Sequence, residues 1–277
     1  MRSSRRGFLA GAAVSAAFAG YSLNARGQTA PVAETYLNEV YGYGPLKPDP
    51  NKIFDLPEGF SYRVISQAGE TMDDGLLVPH KADGMACFPL RGAQVALVRN
   101  HELKHTDLDH GPLGIGRHLA DRLDRSKAYA VDADGLPLPG GTTTMVYDLK
   151  ARRLVSQHLS LIGTTVNCAG GPTPWGSWLS CEESILTPGP GTNRSHGWVF
   201  EVPSRARGLV AARPLTAMGR FQHEAAAVDP DTGVVYLTED SFDSKGLFYR
   251  FLPNDRRDMT KGGRLQALGL REAPNLF

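Results

Sequence analysis

The chain has 277 residues, with 30 Lys plus Arg against 29 Asp plus Glu and a formal charge of +1. That near-balance, with both signs interspersed, excludes a basic face for nucleic acid and an acidic solvating tail. A hydrophobic share of 41% on a chain this long leaves enough apolar material for one large or two small domains.

The first thirty residues read as an export signal rather than as fold. Ser4-Arg5-Arg6-Gly7-Phe8-Leu9 is a twin-arginine core, and Ala10 to Ala19 is a small, uncharged run. That run is short for a permanent bilayer span. The expectation is a periplasmic protein, passed folded through the twin-arginine export machinery, with no permanent membrane anchor. Residues 31–59, rich in Pro, Tyr, Gly and Asn, read as an N-terminal linker, and the domain proper runs over 60–277. Three cysteines, Cys87, Cys168 and Cys181, are an odd count for an oxidising compartment, so at least one is a free thiol or a metal ligand.

Phe60 to Ile65 alternates as a short strand. Three units follow, each read as a four-stranded meander. The first takes Met85–Phe88, Val95–Val98, Thr144–Tyr147 and Leu154–Leu161. Its insert, Leu103 to Gly141, carries a short helix over Gly116–Lys127 and turns at Asp132–Gly135 and Gly140-Gly141. The second takes Cys168–Gly171, Trp178–Ser180, Gly197–Val202 and Ala212–Leu215. The third takes Ala225–Val228, Val234–Leu237, Leu247–Phe251 and a run near Leu265 to Leu270. Asp229 to Gly233 reads as a hairpin turn rather than a calcium loop. Repeats of four short strands with a period near fifty residues predict an all-β fold, a β-propeller with three recognisable four-stranded blades.

The start of one strand and the end of its antiparallel partner lie on one edge of a sheet. Each unit places polar residues at both points: Asp83-Gly84 with Asn100-His101-Glu102, Asn167-Cys168 with Cys181-Glu182-Glu183, and His223-Glu224 with Glu239-Asp240. Asp83, Cys168, and His223 or Glu224 would then face a common channel mouth, the others around or behind them. Carboxylates suit hard ions such as calcium, whereas a thiolate amid carboxylates suits iron or zinc. Alternation sends Glu182 and Glu183 to opposite faces, so one of them reaches the channel. His223 is a ligand or a hydrogen-bonded residue behind one. Cys181 is a core thiol, a partner for Cys168 or itself a ligand, Cys87 a packing residue, and Trp175, Trp178 and Trp198 pack between blades. No Gly-x-Ser-x-Gly elbow or His-Glu-x-x-His spacing occurs, so serine-hydrolase chemistry is unsupported.

Asp83-Gly84-Met85-Ala86, Val98-Arg99-Asn100-His101-Glu102, the long segment Asn167 to Glu183, and Phe221-Gln222-His223-Glu224 together resemble the PhoX family of bacterial alkaline phosphatases. The resemblance spans essentially the whole chain. It implies a six-bladed parent propeller whose buried cluster of ferric and calcium ions, Fe(3+) and Ca(2+), hydrolyses phosphomonoesters. It further implies Cys168 and Glu224 at the reacting centre and Cys168, Glu183, Glu224, Asn100 and Glu102 as metal ligands, while Glu182, Glu239 and His223 join the expected ligand set from their place at the strand ends. Family members run beyond this length to further blades and a Trp-x-Arg-Pro-Glu type motif, so the chain is expected to be part of a longer protein. The competing reading is a non-catalytic calcium-binding propeller module or an inactive fragment.

Overall fold

The structure, a computed structural model, describes residues 43–241 and 245–269. The export signal read over 1–30, the first part of the linker and the end of the last expected strand lie outside the described residues. Two compact units divide between Val64 and Ile65. In the first, β1 (Leu46–Lys47) pairs with β2 (Leu56–Pro57). Asp49 organises the loop between them. Its carboxylate accepts from the backbone N–H groups of Asn51, Ile53 and Phe54 and from the Tyr62 hydroxyl at 2.6 Å. The strand expected over Phe60–Ile65 does not form, and Tyr62 is instead tied to this loop.

The second unit is built from three antiparallel sheets. The first runs β3 (Ala82–Pro89), β4 (Gln94–His101), β5 (Gly140–Asp148), β6 (Arg153–Thr164), neighbours in that order. The second is β7 (Asn167–Pro172), β8 (Ser177–Glu182), β9 (Val199–Pro203), and the third is β10 (His223–Val228), β11 (Val235–Glu239), β12 (Phe248–Pro253), β13 (Gly263–Ala267). Each is a meander whose first hairpin closes on a short turn, whereas the insert separates β4 from β5 and a longer loop separates β8 from β9. At the third sheet's first hairpin the Asp229 carboxylate accepts from the N–H groups of Asp231 and Thr232 and from the Thr232 hydroxyl, with Gly233 at φ 74° closing the turn.

The all-β expectation holds, and the propeller does not. Among the described residues the sheets are open and do not close into a ring. Periodicity counts strands and sheets, but closure requires the outermost ones to meet, which no local pattern encodes. The second unit of the repeat is also shorter than expected. Ala212–Leu215 forms no strand, and its sole pairing is a bridge from Phe200 to Pro214, where proline has no N–H to extend a ladder. The helix expected over Gly116–Lys127 is replaced by separate 3-10 turns at Ile115–Arg117, Ala120–Arg122 and Arg125–Lys127. Gly116 and Arg117 take positive φ of 62° and 56° there, which no α-helix accommodates. Gly140-Gly141 opens β5 rather than forming a turn.

Strand alternation explains how the three sheets stack. On β8, Leu179 and Cys181 join Val199, Val235, Leu237 and Phe251 in one buried cluster shared with the third sheet. Trp178 points the other way, joining Phe200, Val202, Phe88, Val98 and Leu161 against the first sheet. The middle sheet is thus covered on both faces, which is why every residue of β8 is buried. A third cluster, with Met72, Leu76, Leu113, Leu123 and Ile162, packs the insert onto β6. The first strands of the sheets lie against one another, β3 on β7 and β7 on β10. Glycine permits both approaches: a Cβ on Gly84 would sit 2.8 Å from the Ala169 Cα, and one on Gly171 would sit 1.8 Å from the Ala226 carbonyl oxygen.

Candidate metal centre

The same irregularity interrupts the first hairpin of all three sheets. Pairing begins at Ala82 with His101, Asn167 with Glu182 and His223 with Glu239, then resumes at Met85 with Arg99, Gly170 with Ser180 and Ala226 with Leu237. In each case two residues of the first strand face one of the second. This is a β-bulge, which turns a side chain out of the regular alternation. The bulges present Asp83, Cys168 and Glu224 at equivalent positions. The strand exits repeat as well. The N–H groups of Glu102, Glu183 and Asp240 donate to the carbonyls of Lys81, Val166 and Gln222 at 2.8, 2.8 and 3.0 Å. Lys81 and Val166 both take φ of 49°. For the β-branched Val166 that is a strained conformation of order 1–3 kcal/mol, of the kind found at functional sites.

Five carboxyl groups and a thiol therefore converge from one end of the three sheets. Ligand atoms of Cys168, Glu183 and Glu224 all lie within 4.8 Å of one another, and Cys168 Sγ is 3.5 Å from Glu224 Oε1. Glu183 is hydrogen-bonded to Asp240. Asp83 acts electrostatically on Cys168, Glu224 and Glu102.

Every member of this group that shifts does so toward its neutral form. Burial, the Asp240 hydrogen bond and the Glu224 charge push Glu183 up to about 7. Burial raises Glu224, with Asp240 and Asp83 adding to it, although the Cys168 contact pulls the other way. Burial and then the Glu224, Asp83 and Glu183 charges push the Cys168 thiol up strongly. Burial and Asp83 raise Glu102. Crowded like charges in a partly desolvated place resist ionisation, and a cation that joins them relieves that cost. A thiol and two carboxylates within reach of one point are also a suitable donor set for a transition ion. The residues present fit a metal.

This crowding makes a pH-dependent liability in the metal-free protein. Glu183 is raised above its unfolded value of 4.5, so its contribution is fully present below that value and is lost as pH rises through about 7. Glu183→Gln is expected to be more stable than the wild type at pH 8 when metal-free. The gain is about 1–2 kcal/mol after allowing for solvent screening of a part-exposed group, and it vanishes below pH ~5. Urea denaturation of both proteins across that range measures it, and a difference independent of pH would contradict the assignment.

The other expected ligands are placed elsewhere. Asn100 is fully buried. Its amide donates to the carbonyls of Cys168 and Ala169 at 2.8 and 2.7 Å, and its carbonyl oxygen accepts from Trp178 Nε1 and Ser180 Oγ. It clamps the bulge that carries Cys168. Glu182 faces away from Glu183, as alternation requires, and accepts from His196 Nδ1 at 2.7 Å and from the N–H groups of Thr165, Gly197 and Trp198. Thr192, His196 and Glu182 form a hydroxyl–imidazole–carboxylate relay. All three are buried, so no substrate reaches the hydroxyl. Glu239 accepts from the Leu247 N–H and the Tyr249 hydroxyl. His223 stacks on Phe221 at 3.6 Å with Nε2 on the Gly219 carbonyl, and burial pushes it down to about 4. His101 is likewise buried between the His80 carbonyl and Thr143 Oγ1, and is pushed down to about 3. All three cysteines are free: Cys181 is in the core, and Cys87 is exposed rather than packed.

The expected iron–calcium cluster is reduced accordingly. Among the described residues, one three-donor group of metal-binding geometry occurs, Cys168–Glu183–Glu224, and nothing in its arrangement specifies a mixed set of iron and calcium ions. Asp83 and Asp240 belong to the polar clusters of the repeat but not to the expected ligand set. The signal that would have promoted them is the repeat itself, since they occupy the positions of Cys168 and Glu183 in the neighbouring sheets.

A family model described as alkaline phosphatase PhoX matches residues 41–148 and 139–275. A solved structure of Pseudomonas fluorescens PhoX in complex with vanadate, a transition state analogue, is similar over 76% of this chain, with 19% identity and a TM-score of 0.49. The similarity covers 52% of that protein, so this chain spans about half its length. No curated protein matches the chain.

Proposed function

Because the chain belongs to the PhoX family of alkaline phosphatases, we propose that it is a metal-dependent phosphomonoester hydrolase, exported to the periplasm by the twin-arginine pathway. Among the described residues no helix is long and apolar enough to cross a membrane. The observation that carries the reading is the convergence of Cys168, Glu183 and Glu224 within 4.8 Å, ringed by Asp83, Glu102 and Asp240.

Cys168, Glu183 and Glu224 would hold the ion. A thiolate among carboxylates calls for a transition metal of the iron or zinc kind. When bound, such an ion polarises phosphoryl oxygens and offsets charge that builds up during transfer. The protein's own contribution is placement. Asn100 fixes the bulge through hydrogen bonds to the Cys168 and Ala169 carbonyls, and the three strand-exit bonds fix the backbone of the carboxylates opposite. Burial and the Asp240 hydrogen bond favour the protonated form of Glu183. Cys168 and Glu224, whose Sγ and Oε1 are 3.5 Å apart, are the groups we assign to the reacting centre.

The test is elemental analysis of the folded, monodisperse protein together with phosphate release from 4-nitrophenyl phosphate. The expected result is at least one transition ion per chain, with hydrolysis abolished by a chelator and restored by the metal. A folded protein that takes up no transition ion overturns the reading. Metal without hydrolysis leaves the centre as a binding module and refutes the enzymatic part.

A further inference from the structure

A cavity lies at the opposite end of the sheets. The metal-binding group sits where β3, β7 and β10 begin, whereas the turn after β3, the last residues of β5 and the segment following β9 surround a cavity of about 650 Å³. That volume is in the range of small-molecule sites. Its floor is apolar, with Leu90, Leu123, Leu159 and Leu209 among the lining residues.

Four arginines, Arg91, Arg122, Arg205 and Arg207, stand around it. None of them makes a side-chain hydrogen bond or ion pair with a described residue. The acids of the same wall are already engaged. Asp73 accepts from the Gln157 N–H at 2.6 Å, Asp74 from the Leu159 and Leu76 N–H groups, and Asp124 from Ser126. They therefore cap the edge of β6 and the insert rather than pair with the arginines.

His158 supplies an independent observation. It lines the cavity and is 8% exposed, yet its Nε2 is buried without a hydrogen-bond partner. A buried polar atom left unmatched costs about 1–3 kcal/mol, and native structures rarely retain one unless something fills the role.

We propose that this cavity binds a small organic anion. Its acidic group, a phosphate, sulfonate or carboxylate, is held by the four guanidinium groups. Its apolar body lies over the leucines, and a polar atom on it meets His158 Nε2. The site is separate from the metal centre, and its occupancy does not depend on the function proposed there.

The probe is 2-naphthalenesulfonate, titrated calorimetrically into the full chain, with inorganic sulfate as the head group alone. Saturable binding of one molecule per chain is expected, at least tenfold tighter than sulfate. The triple variant Arg122→Ala/Arg205→Ala/Arg207→Ala, all exposed positions, is expected to weaken it at least tenfold with an unchanged melting temperature. His158→Phe, which keeps the ring and removes Nε2, is expected to weaken it severalfold. Cys168→Ala is expected to leave it unaltered. No saturable binding, equal affinity for sulfate, or loss in Cys168→Ala but not in the arginine variant would overturn the proposal.

Discussion

Cys168→Ala is expected to empty the metal centre and to lower kcat/KM for a phosphomonoester by about 10³-fold, the scale of losing a principal source of transition-state charge stabilisation. Three donor groups come within 4.8 Å of one another, and Sγ is the soft one among them. Without it, two carboxylates remain that a transition ion finds no better than many surface pairs. The fold itself is expected to survive. Cys168 is half-buried, alanine fits its bulge, and Asn100 still holds the Cys168 and Ala169 carbonyls. The metal-free stability is therefore expected to change by less than about 1 kcal/mol. Metal content, activity and urea midpoint measured on one preparation separate the two effects. Cys87→Ala, at an exposed position, is the control and should leave all three unchanged. Full metal content in Cys168→Ala would shift the centre toward Asp83, Glu102 and Asp240.

Gly171→Ala is expected to damage the fold more than any substitution at the metal centre. Its Cβ would lie 1.8 Å from the Ala226 carbonyl oxygen and 2.7 Å from the carbonyl carbon. Both are backbone atoms, so no rotamer change relieves the clash. The strands β7 and β10 must separate, opening the cluster of Leu179, Cys181, Val235, Leu237 and Phe251 between their sheets. A loss of about 3 kcal/mol or more follows from overpacking combined with lost burial. Gly84→Ala is the informative comparison. Its contacts are 2.8 Å to the Ala169 Cα and 2.9 Å to the Cys168 carbonyl oxygen, so the neighbouring bulge needs to move by less. Stability should fall less than in Gly171→Ala, while metal affinity falls because the displaced segment carries Cys168. Equal denaturation midpoints for Gly171→Ala and wild type would show that the two strands are not held at this distance.

The strands of the second unit were legible wherever apolar alternation met a turn. Met85–Phe88, Val95–Val98 and Trp178–Ser180 fall inside β3, β4 and β8. The polar clusters also fall where the antiparallel rule places them, at strand starts and their partners' ends. Illegible were features decided by longer-range geometry. Phe60–Ile65 alternates like a strand but finds no partner, because alternation reports amphipathicity and not pairing. The Gly116–Lys127 helix fails at two residues with left-handed φ, and for arginine only the surrounding chain sets that. Closure of the sheets was inferred from a count that is silent about edges. At the metal centre, residue types named the chemistry, but the bulges decided which side chains meet. Asn100 enters the expected ligand set through the family resemblance, and its buried hydrogen bonds make it a brace.

A bulge at a fixed place in each hairpin separates two design problems. The ladder beyond it, from Met85, Gly170 and Ala226 onward, is indifferent to what the unpaired residue carries. Aspartate, cysteine and glutamate occupy that one socket in three sheets of the same chain, and the surrounding strands keep their register with each. Preference for a hard or a soft ion is therefore exchangeable one position at a time. A lineage holding this scaffold could trade its metal by swapping a single side chain, with no strand re-registered and no core repacked.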